Sequence, residues 1–274
     1  MHEYPDSSAP WSLSDIPYEQ IDRERLRGRQ DLFYMVTAAS MIESGSDLYT
    51  SNLVAHFAGD TEASDWLVAH WERDELRHGR ALRAYVECAW PQFPWQRAFD
   101  SFFGEYRLAC STEALEPSRA LEMAARCVVE TGTASLYRAM QSMTDEPVLQ
   151  ALATRLHHDE VRHYKHFYRY FQRLNALERN SRWAVLRCEI RRLLEIRNDD
   201  TDIAIRHVHA ACSDEGGSDE TIAQIRAQVS QLIRQHLPRE MTVKMLLRPL
   251  SLPPRMQPVV QKSLTVFTDK VMLS

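Results

Sequence analysis

One five-residue pattern occurs twice in the sequence, and each copy contains two side chains that can bind a metal ion. Residues 74–78 read Asp-Glu-Leu-Arg-His, and residues 159–163 read Asp-Glu-Val-Arg-His, 85 positions later. In each copy the Glu and the His are three positions apart, so on a helix both side chains project from one face. A Glu-x-x-His pair of this kind is a half-site for a metal ion. The chain therefore contains two half-sites.

Each half-site is preceded by a lone carboxylate in another apolar stretch. Glu43 follows Ala-Ala-Ser-Met-Ile, and Glu130 lies in Arg-Cys-Val-Val-Glu-Thr. Glu43 precedes Glu75 by 32 residues and Glu130 precedes Glu160 by 30, which indicates two related helical hairpins. Together these residues form the inward-facing ligand set of a dinuclear site in a four-helix bundle. The predicted metal-binding and catalytic residues are Glu43, Glu75, His78, Glu130, Glu160 and His163.

The ligand types indicate which metals the site would hold. Four Glu side chains directed into one interior repel one another, and an uncompensated buried charge costs several kcal/mol. Two divalent cations would cancel their charge. Carboxylate oxygens with two imidazoles suit iron or manganese, whereas no Cys stands at ligand spacing for structural zinc. We expect two Fe ions, and a Mn/Fe pair remains open.

The motifs also contain candidate partners for the two histidines. A metal-bound His usually donates its second ring nitrogen to an acceptor. Our hypothesis is a crossed pairing, in which Asp74 accepts from His163 and Asp159 accepts from His78. The arginines of the two motifs, Arg77 and Arg162, would then neutralise the aspartates.

Composition favours an all-α protein. Only 8 of the 274 residues are Gly, and long stretches lack Pro.

The net charge of −5 gives no electrostatic footprint for nucleic acid. Five widely spaced cysteines without Cys-x-x-Cys are typical of reduced thiols in a cytoplasmic protein. Because there is no signal-peptide pattern and no run of 18 apolar residues, we expect neither secretion nor a membrane span.

Apolar periodicity and Pro positions divide the chain into helices. The pattern predicts one helix over 22–57, a second over 62–90, a crossover helix between Pro91 and Pro117, a third from a Ser118 cap to about Met143, and a fourth from about Pro147 to Leu174. Further helices are predicted near 180–197, 200–212 and 219–236, followed by a Pro-rich segment and a final amphipathic stretch. Three regions result: an irregular arm (1–20), the four-helix bundle (21–176) and a C-terminal helical extension packed on it (177–274).

With these motifs, roughly residues 25 to 175 resemble the ferritin-like di-iron carboxylate superfamily. The Asp-Glu-x-Arg-His form is similar to that of the oxygen-activating members, namely acyl-carrier-protein desaturases, bacterial multicomponent monooxygenases and related oxygenases. Residues 145–163 are similar to the fourth bundle helix of the desaturases. The resemblance implies a ferritin-like four-helix bundle with a crossover helix and additional C-terminal helices. It also implies reductive activation of O2 by a di-ferrous centre, with an organic substrate oxidised in an adjacent apolar pocket.

Three departures from that superfamily narrow the expectation. The 55 residues between Glu75 and Glu130, and the roughly 100 residues after the bundle, disfavour a compact storage ferritin. The small subunit of ribonucleotide reductase has a radical-forming Tyr one turn after the first His, where this chain has Leu82. We therefore do not expect a stable tyrosyl radical of that kind. Many monooxygenases have Thr four positions after the third-helix Glu, where this chain has Ala134, with Thr133 one residue earlier. Tyr137 lies seven residues after Glu130 on the same helix face. An approach to the site stays open for it, and a packed core residue is the favoured interpretation.

The function predicted is that of a non-haem di-iron oxidase, either a desaturase or an oxygenase. Its expected partners are O2, a small-molecule or carrier-bound and largely apolar substrate, and a ferredoxin or reductase, because no Gly-x-Gly-x-x-Gly nucleotide fingerprint is present. A homodimer is expected. Two alternatives stay open: an iron-handling ferroxidase, and a binding protein with a structural metal site. The sequence does not choose among desaturation, hydroxylation and N-oxidation, and it does not name the substrate.

Overall fold

The computed structural model describes residues 11–109, 115–196, 200–212, 219–253, 255 and 260–262. Within these ranges every regular element is helical and no strand occurs, which confirms the all-α prediction. Two short 3-10 turns (Leu13–Asp15 and Tyr18–Gln20) precede the α-helices. The helices described are α1 (Gln30–Ser44), α2 (Ser46–His56), α3 (Thr61–Trp66), α4 (Glu72–Ala89), α5 (Trp95–Ala109), α6 (Arg119–Met143), α7 (Pro147–Glu178), α8 (Arg182–Ile196), α9 (Asp200–Cys212), α10 (Asp219–His236) and α11 (Arg239–Leu247).

The prediction of one helix over 22–57 is wrong. Residues 23–28 form turns that end at Gly28, whose φ of +75° is a left-handed conformation that favours glycine. The remaining segment is divided at Gly45 into α1 and α2. A Cβ atom at Gly45 would lie 2.9 Å from the ring of Tyr106, so this close approach requires glycine. Periodicity could not reveal this close approach, because Tyr106 lies on the distant helix α5.

The predicted helix over 62–90 is confirmed within one residue at each end, but it is not a continuous α-helix. Asp60 caps the start of α3 by accepting a hydrogen bond from the Ala63 amide. The helical run then continues to Ala89, but Leu67–Trp71 forms a π turn between α3 and α4. Such turns add one residue to the helix and are frequent at functional sites. Here the π turn lies just before Glu75.

The later helices begin where their caps predict. Ser118 accepts from the Leu121 amide at the start of α6, and Glu146 caps α7, which has Pro147 in its first turn. Among the other helices, α5 occupies the predicted crossover segment, and α8, α9 and α10 match the predicted C-terminal helices. Helix α11 has no counterpart in the sequence prediction, and the predicted final amphipathic stretch lies largely outside the described residues.

Two helix pairs bring the predicted ligands together. Helices α6 and α7 are joined by three residues and pack along each other, and α1 packs along α4. The two pairs meet where α4 contacts α7. Each pair therefore supplies one lone Glu and one Glu-x-x-His.

The site helices share a common apolar, polar, apolar order. On α7, apolar residues at 148–156 belong to one buried cluster and those at 164–174 to a second, with Glu160 and His163 between them. The same order occurs on α4, where Glu75 and His78 lie between Trp71 and Ala81. The two apolar clusters thus enclose a polar layer in the bundle.

The C-terminal helices cover the outside of these pairs. Helices α8, α10 and α11 pack on α6, while α9 packs on α1 and α5. A search of the described segments found no helix with the length and apolar character needed to span a membrane.

The approach of α1 to α4 predicts the effect of one substitution. A Cβ atom at Gly79 would lie 2.8 Å from the backbone of Ser44, so Gly79→Ala has to separate the helices that carry Glu43 and His78. We expect a loss of about 1–3 kcal/mol in the free energy of unfolding, measured by chemical denaturation. Gly132→Ala on α6 is the matched control, because open space surrounds that position and the better helix propensity of Ala should add up to about 1 kcal/mol. Equal stability of the two variants would contradict the packing argument.

Candidate metal centre

The structure brings all six predicted ligands together in two groups that share two members. The first group consists of Glu43, Glu75, His78 and Glu160, and the second of Glu75, Glu130, Glu160 and His163. Within each group one ligand atom of every residue lies within 4.8 Å of the others. All six residues are buried. Glu75 and Glu160 belong to both groups, so they are placed to bridge two metal positions.

The imidazoles face the carboxylates through their Nδ1 atoms. His78 Nδ1 lies 3.1 Å from Glu160 Oε1, and His163 Nδ1 lies 3.0 Å from Glu75 Oε1. Glu130 Oε2 is 3.4 Å from the same His163 atom. The two imidazole rings are 5.8 Å apart between centroids. The Nδ1 atoms and carboxylate oxygens therefore converge on one small volume.

Several of these converging atoms have no hydrogen-bond partner. Buried polar atoms normally form hydrogen bonds, and each exception requires an explanation. In the described part of the chain, the unpartnered atoms at this site are Glu75 Oε1, His78 Nδ1, Glu130 Oε2, Glu160 Oε1 and His163 Nδ1. They lie close to one another without hydrogen-bond geometry, as ligands directed at a common ion would. The donor set thus fits two divalent cations, whose four positive charges would balance four carboxylates.

Burial changes the pKa values of three of the four glutamates in the same direction. Desolvation, with the nearby charge of Glu160, raises the pKa of Glu43 and raises that of Glu75 well above its usual range. For Glu130, burial outweighs the neighbouring imidazole and raises the pKa to about 8. In the metal-free protein these carboxyls therefore keep their protons to higher pH than a free Glu does, and a metal ion would displace those protons.

Glu160 behaves differently because it lies between both histidines. Burial alone would raise its pKa, but the imidazoles of His163 and His78 outweigh burial and hold it well below the usual range. Burial likewise disfavours the charged imidazoles, yet the surrounding carboxylates raise the pKa values of both histidines. Without metal, Glu160 thus stays ionised to lower pH than a free Glu, and the two histidines stay charged to higher pH than a free His.

The crossed pairing of histidines and aspartates is present. His78 Nε2 lies 3.0 Å from Asp159 Oδ2, and His163 Nε2 lies 3.2 Å from Asp74 Oδ2. These contacts use the ring nitrogens that face away from the ligand groups. They are suited to fix the orientation of each imidazole so that Nδ1 points inward.

The two aspartates and two arginines form a closed ring of ion pairs. Arg77 contacts Asp74 at 2.7 Å and Asp159 at 2.9 Å. Arg162 contacts the same two aspartates at 2.7 and 2.9 Å. Burial would raise the pKa values of both aspartates, but the histidines and arginines outweigh burial. They lower the pKa of Asp159 to about 2 and also lower the pKa of Asp74. The ring is electrically neutral and joins α4 to α7.

Four further donors at the centre were not assigned to it by the sequence analysis. Tyr137 was interpreted as a core residue; it is buried and also donates a hydrogen bond to Glu43 Oε1. Thr133 Oγ1 donates to Glu160 Oε2 at 2.8 Å. Trp71 Nε1 donates to Glu130 at 3.1 Å, and Trp11 Nε1 to Asp159 at 2.8 Å.

Sequence spacing could have indicated only some of these donors. Trp71 precedes Glu75 by four residues, and Tyr137 follows Glu130 by seven, so each shares a helix face with a ligand. Trp11 lies 148 residues from Asp159 in the N-terminal arm. No local pattern connects it with the site.

Comparison of the sequence with known proteins gives no further assignment. No family model matches the chain, and no curated protein matches it. The resemblance to di-iron proteins therefore rests on the residue pattern of the sequence.

The raised pKa values predict that the metal-free protein becomes less stable as the pH rises from about 5 to 8. The folded protein binds more protons than the unfolded chain at Glu43, Glu75, Glu130 and the histidines, so unfolding becomes easier as the pH increases. The carboxyls with lowered pKa values change their contribution only at lower pH. Burial lowers the pKa values of His56 and His157, which act in the opposite direction but are outnumbered by the groups with raised pKa values. Each group with a raised pKa lowers the free energy of unfolding by about 1.4 kcal/mol per pH unit, between its pKa in the unfolded chain and its pKa in the folded protein.

Thermal unfolding with a chelator measures this trend. We expect the midpoint to fall between pH 5 and 8, and to fall less for Glu130→Gln, which cannot ionise. Added Mn(II) should suppress the fall because the metal replaces the protons. A midpoint of the chelated protein that rises with pH would contradict the assignment.

Proposed function

We propose that this chain is a ferritin-like di-iron carboxylate protein that uses O2 to oxidise an organic substrate. The observation that carries the proposal is the sharing of Glu75 and Glu160 by two groups of buried ligand residues. Two metals held by common carboxylates would lie next to each other, as O2 chemistry at a dinuclear site requires. The resemblance of the duplicated Asp-Glu-x-Arg-His motif to oxygen-activating di-iron proteins supports the same reading.

In this proposal Glu43 and His78 belong to one iron, Glu130 and His163 to the other, and Glu75 and Glu160 to both. A di-iron centre supplies, when bound, the electrons and the Lewis acidity for reductive activation of O2. The protein holds the ligands rigidly: Tyr137 fixes Glu43, Trp71 fixes Glu130, and the aspartates orient the imidazoles. Such preorganisation keeps the ligand geometry constant while substrates come and go.

Burial of the centre would protect the oxidising chemistry from water. The most exposed ligands are Glu43 and Glu75, at 6% and 7%, so we place the approach of O2 and substrate on their side. The Thr133 hydroxyl donates a hydrogen bond to Glu160 at 2.8 Å and is suited to hold a proton beside that carboxylate. Two surface cavities, one near Tyr18 and one near Phe33, contain none of the six ligands in their linings.

The other parts of the proposal follow from the sequence. Electrons would come from a ferredoxin or reductase. The four described cysteines are free thiols, consistent with a reducing, cytoplasmic location. The substrate is a small or carrier-bound molecule with a largely apolar reactive part.

Iron content and oxygen uptake test the proposal directly. Protein loaded anaerobically with Fe(II) should bind about two irons per chain and should consume O2 rapidly when mixed with it, with a change in its optical spectrum. Glu130→Ala removes a ligand from one metal position and should lower both iron content and O2 uptake. Glu87→Ala, an exposed carboxylate on α4, is the matched control and should behave as wild type.

Three outcomes would contradict the proposal. Uptake of many irons per chain would favour an iron-handling protein. Two bound metals without O2 consumption would favour a structural metal site. Iron content that is unaffected by Glu130→Ala would exclude the six-ligand centre itself.

A further inference from the structure

Although the two half-sites have the same sequence motif, their surroundings differ in the number of donors. Each lone carboxylate has one aromatic donor: Tyr137 donates to Glu43 and Trp71 to Glu130. Trp71 occupies Glu130 Oε1 and leaves Oε2 directed at His163. In this respect the halves are equivalent.

The aspartates behind the histidines are not equivalent. Asp159 Oδ2 accepts from Trp11 Nε1 at 2.8 Å in addition to its contacts with His78 and Arg77 at 3.0 and 2.9 Å. Asp74 Oδ2 contacts only His163 and Arg162 among the described residues, at 3.2 and 2.7 Å. The Asp74 side chain is 13% exposed, whereas that of Asp159 is 4% exposed.

Trp11 also packs on the other members of this half. Its ring is parallel to the imidazole of His78, with 3° between the planes and 6.2 Å between the centroids. The Arg77 guanidinium lies 4.8 Å from the centre of the same ring, a cation–π arrangement. Trp11 is buried, so the N-terminal arm seals the His78 half of the centre. At His163 the buried ring of Trp66 packs edge-on, with 6.4 Å between the centroids, but among the described residues no indole N–H donates to Asp74.

We propose that Trp11 is a positioning residue that makes the metal position at His78 the tighter of the two. The indole N–H fixes Asp159, Asp159 fixes His78, and His78 then presents Nδ1 to the ion with less reorganisation on binding. Loss of such an outer partner typically lowers metal affinity 10- to 100-fold. The inference rests on the proposed dinuclear site and adds an order of filling: the His78 position first, then the His163 position.

Anaerobic titration with Co(II), followed by its visible absorption, tests this order. Wild type should take up two equivalents in two separated steps. Trp11→Phe retains the ring but removes the donor, and should weaken the first step about tenfold, so that the two steps move together. Trp71→Phe removes the donor of the His163 half and should weaken the second step, so that the two steps move apart. Trp183→Phe, at a tryptophan 79% exposed, should change neither step.

A double variant separates positioning from general stability. With His78→Ala in the background, Trp11→Phe should have no further effect on Co(II) affinity, because its action passes through His78. Thermal unfolding of metal-free Trp11→Phe should match that of wild type within a few degrees. A persistent effect of Trp11→Phe without His78 would overturn the inference.

The remaining outcomes distinguish the two proposals. Two equivalents bound by wild type in a single step, or two steps that Trp11→Phe leaves unchanged or weakens equally, would overturn the role of Trp11 alone. A wild-type protein that binds no Co(II) would overturn the dinuclear site and the proposed function with it.

Discussion

The concentration of negative charge inside the bundle is the constraint on which the rest of the structure depends. Four buried glutamates lie in two overlapping groups, and within each group the ligand atoms are within 4.8 Å of one another. Apolar layers lie on both sides of these groups. Without a cation, the raised pKa values of Glu43, Glu75, Glu130 and the two histidines favour protonation and so reduce the net negative charge. Several buried polar atoms at the site still have no hydrogen-bond partner, which is unusual in a protein core. The arrangement is therefore one that could hold metal ions, as we propose above.

A ring of four charged residues orients the two ligand histidines. It consists of Asp74, Arg77, Asp159 and Arg162. Each aspartate joins an imidazole of one motif to the arginines of both motifs. Because the four charges cancel, the ring can lie close to the centre without adding to its net charge. It also ties α4 to α7, the contact through which the two helix pairs meet. Removing one member would leave a partly buried charge unpaired, which is more costly than never having buried the pair.

The structure departs from the duplicated motif wherever one half needs a different neighbour. Gly45 divides α1 from α2 directly after Glu43, whereas α6 continues without interruption past Glu130. The π turn before Glu75 has no equivalent before Glu160 on α7. Trp11 contacts Asp159, and Asp74 has no such partner among the described residues. The two half-sites therefore have the same ligand residues but different surroundings. This difference allows their affinities for metal to differ.

Residue spacing by itself determined the helical class, most helix boundaries, the six candidate ligands and the crossed Asp–His pairing. The helical class and the helix boundaries follow from helical periodicity and local capping, which are encoded within a few residues of each other. The ligands and their aspartate partners follow from the duplicated motif. The break at Gly45, the π turn, helix α11 and the contacts of Trp11 and Tyr137 were decided only by the tertiary structure. Gly45 has to be glycine because the ring of Tyr106 lies against it, and Trp11 reaches Asp159 across 148 residues. Helical periodicity specifies which face of a helix a side chain occupies, but the residue opposite that face depends on how the helices pack.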